Sequence, residues 1–151
     1  MIKGINISHV WVFDQDEALD FYVGKLGLEV SADVDLGPMR WLTVRPKDQP
    51  DREVLLELVA PPSVDPDAAE KIRELVAKGA SGFAVGFVTD DARAACEDLR
   101  AKGMTIREEP EDRPYGVDLA VRDPFGNHIR IVEPRPFQMP DDWQGTVAER
   151  A

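Results

Sequence analysis

The chain has 151 residues and is 43% apolar, enough for one buried core or for two small modules that share one. Its formal charge of -11 argues against a nucleic-acid partner, because that affinity rests on clustered Lys and Arg neutralising phosphates. A neutral or cationic small ligand is better tolerated. Met1 to Gly4 open no charged and apolar leader, and no run approaches membrane-spanning length, so a cytoplasmic protein with no membrane partner is expected.

In chain order, the β-forming run Ile5 to Phe13 leads through the capping residues Asp14 to Asp16 into a helix over Glu17 to Lys25, which stops near Gly24 and Gly27. Strands are predicted at Leu28 to Val34, Arg40 to Arg45 and Val54 to Val59, divided by Gly37-Pro38 and by the polar stretch Pro46 to Arg52. A linking helix follows between Ser63 and Gly79, with Ile72, Leu75 and Val76 at helical spacing and Gly79 as its C-cap. The order then repeats. A strand at Phe83 to Thr89 is followed by a helix at Ala92 to Lys102 capped by Asp90, then strands at Met104 to Arg107, Val117 to Arg122 and His128 to Val132. The lone Cys96 cannot form an intrachain disulfide and occupies an apolar position of the second-half helix, which assigns it to the core.

Sliding one half over the other by 75 positions sets His9 on Ala84 and Asp16 on Asp91, and a slide of 73 sets Leu58-Val59 on Ile131-Val132 and Pro61 on Pro134. The pattern predicts an α+β fold of two tandem βαβββ modules forming a curved mixed sheet with a concave ligand cavity. The first module spans 1–62, the linking helix 63–80, the second module 81–135 and a tail 136–151, together one structural domain.

Alternate residues of a strand share a face, so Ile7, His9 and Trp11 point one way and Val10 and Val12 the other, and Leu55, Glu57 and Val59 likewise form one row. His9 and Glu57 are the polar members of apolar rows, and such residues must be paired, hydrated or ligated.

The run His9-Val10-Trp11-Val12-Phe13-Asp14 through Phe21-Tyr22 resembles the module opening of the vicinal-oxygen-chelate superfamily, which includes glyoxalase I, bleomycin-resistance proteins and extradiol dioxygenases. Leu56-Glu57-Leu58 is similar to the module's last strand, and Asp123-Pro124-Phe125-Gly126-Asn127-His128-Ile129-Arg130-Ile131 to the family's closing turn and strand. Enzymes of this superfamily draw His and Glu metal ligands from the first and last strands of both modules. On that resemblance the first module keeps His9 and Glu57, whereas the second has Ala84 and Arg130. Neither alanine nor arginine offers a lone pair. A unit charge pair at 4 Å and an effective dielectric of 20 interacts by about 4 kcal/mol, so a divalent ion beside Arg130 meets repulsion of about twice that. No cofactor is therefore expected, the alternative being one divalent metal ion on His9 and Glu57, with His128 or Glu133 completing the set. Arg130 either pairs with Glu57 or binds an anionic or carbonyl group of a ligand. His9 is either a hydrogen-bonded pocket residue or a ligand.

The resemblance implies a groove lined by His9, Trp11, Phe13, Trp41, Thr43, Glu57, Ala84, Gly86 and Arg130, with Tyr115 and Phe125 at its rim; Trp11 and Trp41 either line it or fill core. It also implies a homodimer, and the apolar Phe137, Met139 and Trp143 of the acidic tail either wrap onto a partner subunit or fray. Two functions remain open. One is a binding protein that sequesters an aromatic or hydrophobic natural product, as in antibiotic resistance of the bleomycin type. The other is a lyase, isomerase or dioxygenase of the same superfamily, metal-dependent or metal-free, with His9 or Glu57 as catalytic base.

Overall fold

The computed structural model describes residues 1–139 and 141–142. The first module runs β1 (Ile7–Val12), α1 (Gln15–Tyr22), β2 (Glu29–Asp35), β3 (Arg40–Arg45) and β4 (Glu53–Leu58). After α2 (Pro66–Ala77), the second repeats the order as β5 (Phe83–Val88), α3 (Ala92–Ala101), β6 (Ile106–Arg113), β7 (Gly116–Arg122) and β8 (His128–Pro134). Each module forms its own four-stranded mixed sheet, ordered β1-β4-β3-β2 and β5-β8-β7-β6. The outer β1–β4 and β5–β8 pairs are parallel and the rest antiparallel. The α+β fold of two tandem modules expected from the repeat is the observed architecture.

The caps explain where the helices begin. Asp14 accepts from the Glu17 N–H at 2.9 Å, Asp65 from Ala68 and Asp91 from Ala94, each satisfying a donor that a helix start leaves free. The α3 cap is thus Asp91 and not Asp90, one residue later than the acidic pair suggested. Strand β6 is longer than Met104 to Arg107, because Glu108 to Arg113 continues it through Pro110. As the outermost strand, interrupted by two register shifts, β6 accommodates a proline and a run of charge that a central strand excludes.

Val10, Val12, Leu42, Val44, Val54 and Leu56 of the first sheet and Val117, Leu119, Val121, Ile129 and Ile131 of the second belong to one buried cluster, which also takes in Cys96. Burial, with the Glu109 carboxylate beside it, pushes the Cys96 thiol up, away from the reactive thiolate. Among the described residues no helix is long and apolar enough to cross a membrane.

The modules are tied together at the turn between β7 and β8. One carboxylate oxygen of Asp123 accepts the N–H groups of Phe125, Gly126 and Asn127 at 2.9–3.0 Å. The other accepts from the Tyr22 hydroxyl of α1 and from the Asn127 amide, both at 2.7 Å. That amide also donates to the Trp11 carbonyl of β1 at 2.7 Å. Gly126 sits at φ +111°, and a Cβ there would lie 2.2 Å from the Val76 carbonyl oxygen of α2, so only glycine lets α2 seat on the turn.

Tyr22→Phe removes one donor from a buried carboxylate and should cost about 1–3 kcal/mol in urea denaturation. Burial first, and Asp123 second, push the Tyr22 hydroxyl above its ordinary value of 10.0. A raised folded-state value means that this contribution is complete below pH 10 and is lost as pH rises further. Unfolding curves of wild type and Tyr22→Phe should therefore converge above that pH.

Candidate functional site

The face of the first sheet turned away from α1 is built by register. His9 is paired with Leu55, Trp11 with Glu57, and Thr43 with Leu55, so these side chains share one surface. His9 Nδ1 lies 3.3 Å from Glu57 Oε2, and the His9 ring meets Trp11 edge-on, centroids 4.9 Å apart at 82°. Trp41 is half-buried on the same face. Thr43 is fully buried, and its hydroxyl donates to Glu53 Oε1 at 3.1 Å, an oxygen that Ser31 also engages. Thr43 therefore lies on this face but is closed off from solvent.

On the second sheet, Arg130 lies beside Gly86 of β5 and Ala120 of β7. Its Nε donates to both oxygens of Asp118 at 3.1 and 2.9 Å, its Nη2 to Glu108 Oε2 at 2.9 Å, and its Nη1 lies 3.5 Å from His128 Nε2. The Tyr115 hydroxyl donates to the same Asp118. Partial burial opposes the Arg130 charge, but the hydrogen bonds to Asp118 and Glu108 outweigh it and hold the guanidinium above its usual value.

The pairing of Arg130 with Glu57 expected as one alternative is not formed within the chain. Asp118 and Glu108 are neighbours of Arg130 on its own sheet face, and Glu57 is engaged with His9 on the other sheet. Phe125 is also not a rim residue. It is buried in the core at 5% exposure, with its ring 5.3 Å from that of Phe13, so this pair closes the junction between the modules. Ala84 falls in a register shift between Phe83 and Val85. The expected residues thus gather into two sets, His9, Trp11, Trp41 and Glu57 on one sheet and Gly86, Tyr115 and Arg130 on the other. Both are open to solvent in a single chain: the His9 side chain is 47% exposed. A cleft of about 700 Å³ lies between the Lys25–Leu28 turn, the loop 46–49 and the Gly86–Asp90 end of β5; of the expected residues only Gly86 lines it.

Sequence reading missed Asp118, Glu108 and Phe83. Asp118 carried a usable signal, because it is the lone acid inside Val117 to Val121, and a polar residue on an apolar row requires a partner. Phe83 carried none, because simple alternation assigns it to the helix side with Val85 and Phe87.

The residues at the family's four ligand positions do not fit a metal ion. Position 84 is alanine and position 130 a guanidinium already neutralised by two carboxylates, leaving His9 and Glu57. Glu133, a conceivable substitute, instead accepts the Ala92 N–H at the start of α3, at 3.1 Å. Among the described residues no group of three or more His, Cys, Asp or Glu is placed to hold an ion. Arg130→Met leaves the buried Asp118 charge without its cation, and should lower stability in denaturant titration by on the order of 3 kcal/mol.

Comparison with known proteins agrees with this architecture. Residues 4–131 match the model of the Glyoxalase/Bleomycin resistance protein/Dioxygenase superfamily. The chain is 35% identical over 130 residues to YurT of Bacillus subtilis (strain 168), an alignment covering 85% of this chain and 98% of that protein. Among solved structures it is similar to UcmS2, with TM-score 0.83 and 38% identity, covering 88% of this chain and 99% of that one. It is also similar to TnmS3, an antibiotic binding protein from Streptomyces sp. CB03234, with TM-score 0.70 and 30% identity over 89% of this chain and 98% of that one. The chain belongs to the glyoxalase/bleomycin resistance protein/dioxygenase superfamily, and carries at the second module's ligand positions two side chains that cannot ligate.

Proposed function

We propose that this protein sequesters a small aromatic or hydrophobic natural product, in the manner of an antibiotic-resistance binding protein, as a homodimer and without a metal. The observation that carries the reading is Arg130. It occupies a position from which the family draws a metal ligand, and it is locked there by Asp118 and Glu108. The groove chemistry is then left to Trp11 and Trp41, whose faces suit stacked rings, and to the hydrogen-bonding groups His9 and Glu57. The likeness to TnmS3, an antibiotic binding protein, supports the same class of ligand. Homodimerisation is supported by the openness of both sheet faces in one chain, since a second copy brings a face of each kind together and encloses a ligand between them.

One observation favours a second reading, catalysis without metal. The Glu57 carboxylate 3.3 Å from Nδ1 of His9 favours a proton on that nitrogen, leaving Nε2 as acceptor and His9 as a general base.

Ligand titration in the presence of excess EDTA should give the same Kd as without it, measured by quenching of tryptophan fluorescence in a Trp143→Phe background. Stoichiometric Fe, Mn, Ni or Zn in protein purified without chelators, lost in His9→Ala, would overturn the metal-free reading. Trp11→Ala should weaken binding by roughly tenfold, the size of one lost aromatic contact. Turnover of the bound compound that His9→Gln abolishes, with binding intact, would favour the enzyme over the sequestering protein.

A further inference from the structure

The exposed ring of Phe83 is unexplained by the core, at 60% exposure on β5, the edge strand of the second sheet opposite β6. Regular alternation would turn it toward α3. The register shift between Phe83 and Val85 reverses that, setting Phe83 beside His128 and leaving Gly86 beside Arg130. The Phe83 ring meets His128 edge-on, centroids 6.4 Å apart at 76°. Its tip lies 3.1 Å from where a Cβ on Gly86 would stand, so the ring extends along the Arg130 face over the place that a side chain at 86 would fill.

That place has a counterpart in the first module. The 75-residue shift sets Gly86 on Trp11, and the two have corresponding partners, Glu57 for Trp11 and Arg130 for Gly86. The first module fills the spot with the side chain of the residue itself, edge-on to His9. The second empties the position to glycine and covers it with an aromatic three residues earlier, edge-on to His128. Both halves therefore set an aromatic ring over equivalent strand positions, edge-on to His9 of β1 in the first and to His128 of β8 in the second.

We propose that Phe83 is the second aromatic wall of the ligand groove, the counterpart of Trp11, and that Gly86 lets its ring lie along the sheet. The ligand is accordingly flat and aromatic, contacting one ring from each kind of sheet face. The inference rests on the binding function proposed above. A Cβ at 86 presses on a ring that is free to swing outward, so Gly86→Val acts on binding by displacing Phe83.

The test uses the full chain in the Trp143→Phe background and a planar fluorescent tricycle, proflavine, titrated by fluorescence polarisation and by quenching of Trp11 and Trp41. Phe83→Ala and Gly86→Val are each expected to raise Kd roughly tenfold. The double variant should be no worse than either alone, because both remove the same contact. If Phe83→Ala leaves Kd unchanged while Trp11→Ala raises it, the groove stands and this wall is wrong. If Gly86→Val weakens binding equally with and without Phe83, the valine meets the ligand itself and the coupling is wrong. Absence of any quenching in wild type overturns both the groove and the wall. A ligand-free readout is the ring-current shift of the His128 ring protons, which both single variants should abolish; its persistence in Gly86→Val refutes the displacement. Light scattering separates a ligand contact from a subunit contact. Loss of the dimer in Phe83→Ala, with Kd per chain unchanged, would assign the ring to the interface instead.

Discussion

Asp123 is the constraint on which the rest of the molecule depends. A carboxylate at 5% exposure is tolerable only when its lone pairs are filled, and here five donors fill them. Three belong to the turn, which sets the direction in which β8 leaves. The other two reach outward: Tyr22 fixes α1 of the first module, and Asn127 continues to the Trp11 carbonyl in β1. The backbone of the strand that carries His9 and Trp11 is thus held by the turn that launches the strand carrying Arg130. Neither sheet face is positioned independently of the other half of the chain.

Within that frame the halves share a topology and have diverged in chemistry and in strand register. The first keeps a histidine and a carboxylate in contact. In the second, the equivalent place is a guanidinium whose charge is balanced on its own sheet, because Asp118 and Glu108 lie within hydrogen-bonding reach while Glu57 belongs to the other module. A cation already paired and partly buried is an anchored structural element with little freedom to rearrange. Where the family places the ligand of an ion, this chain holds Arg130 bound by two carboxylates, Asp118 and Glu108.

Much of this was readable from residues alone. The doubled strand-helix order, the closing turn Asp123 to Asn127 and the two-residue alternation located both modules, assigned Val10 and Val12 to the core, and put His9 and Trp11 in one row and Glu57 in another. These properties follow from local rules: a helix start needs a cap, a strand alternates, a turn needs glycine where φ is positive. The end of β6 was not readable, because its acids and Pro110 look like a loop unless the strand is known to lie at the sheet edge.

What the sequence by itself determined is therefore the fold, the repeat and the loss of two ligating side chains from the second module. What only the tertiary structure decided is which groups satisfy one another. Arg130 had acids available on both modules, and register between β7 and β8 selected Asp118. Phe125 resembled a rim residue until packing against Phe13 buried it. Phe83 changed face through a single register shift that no periodicity announces. Partner choice depends on distances between strands that are remote in sequence, and a one-residue slip inverts every side chain's face, so these assignments emerge only when the sheets are assembled.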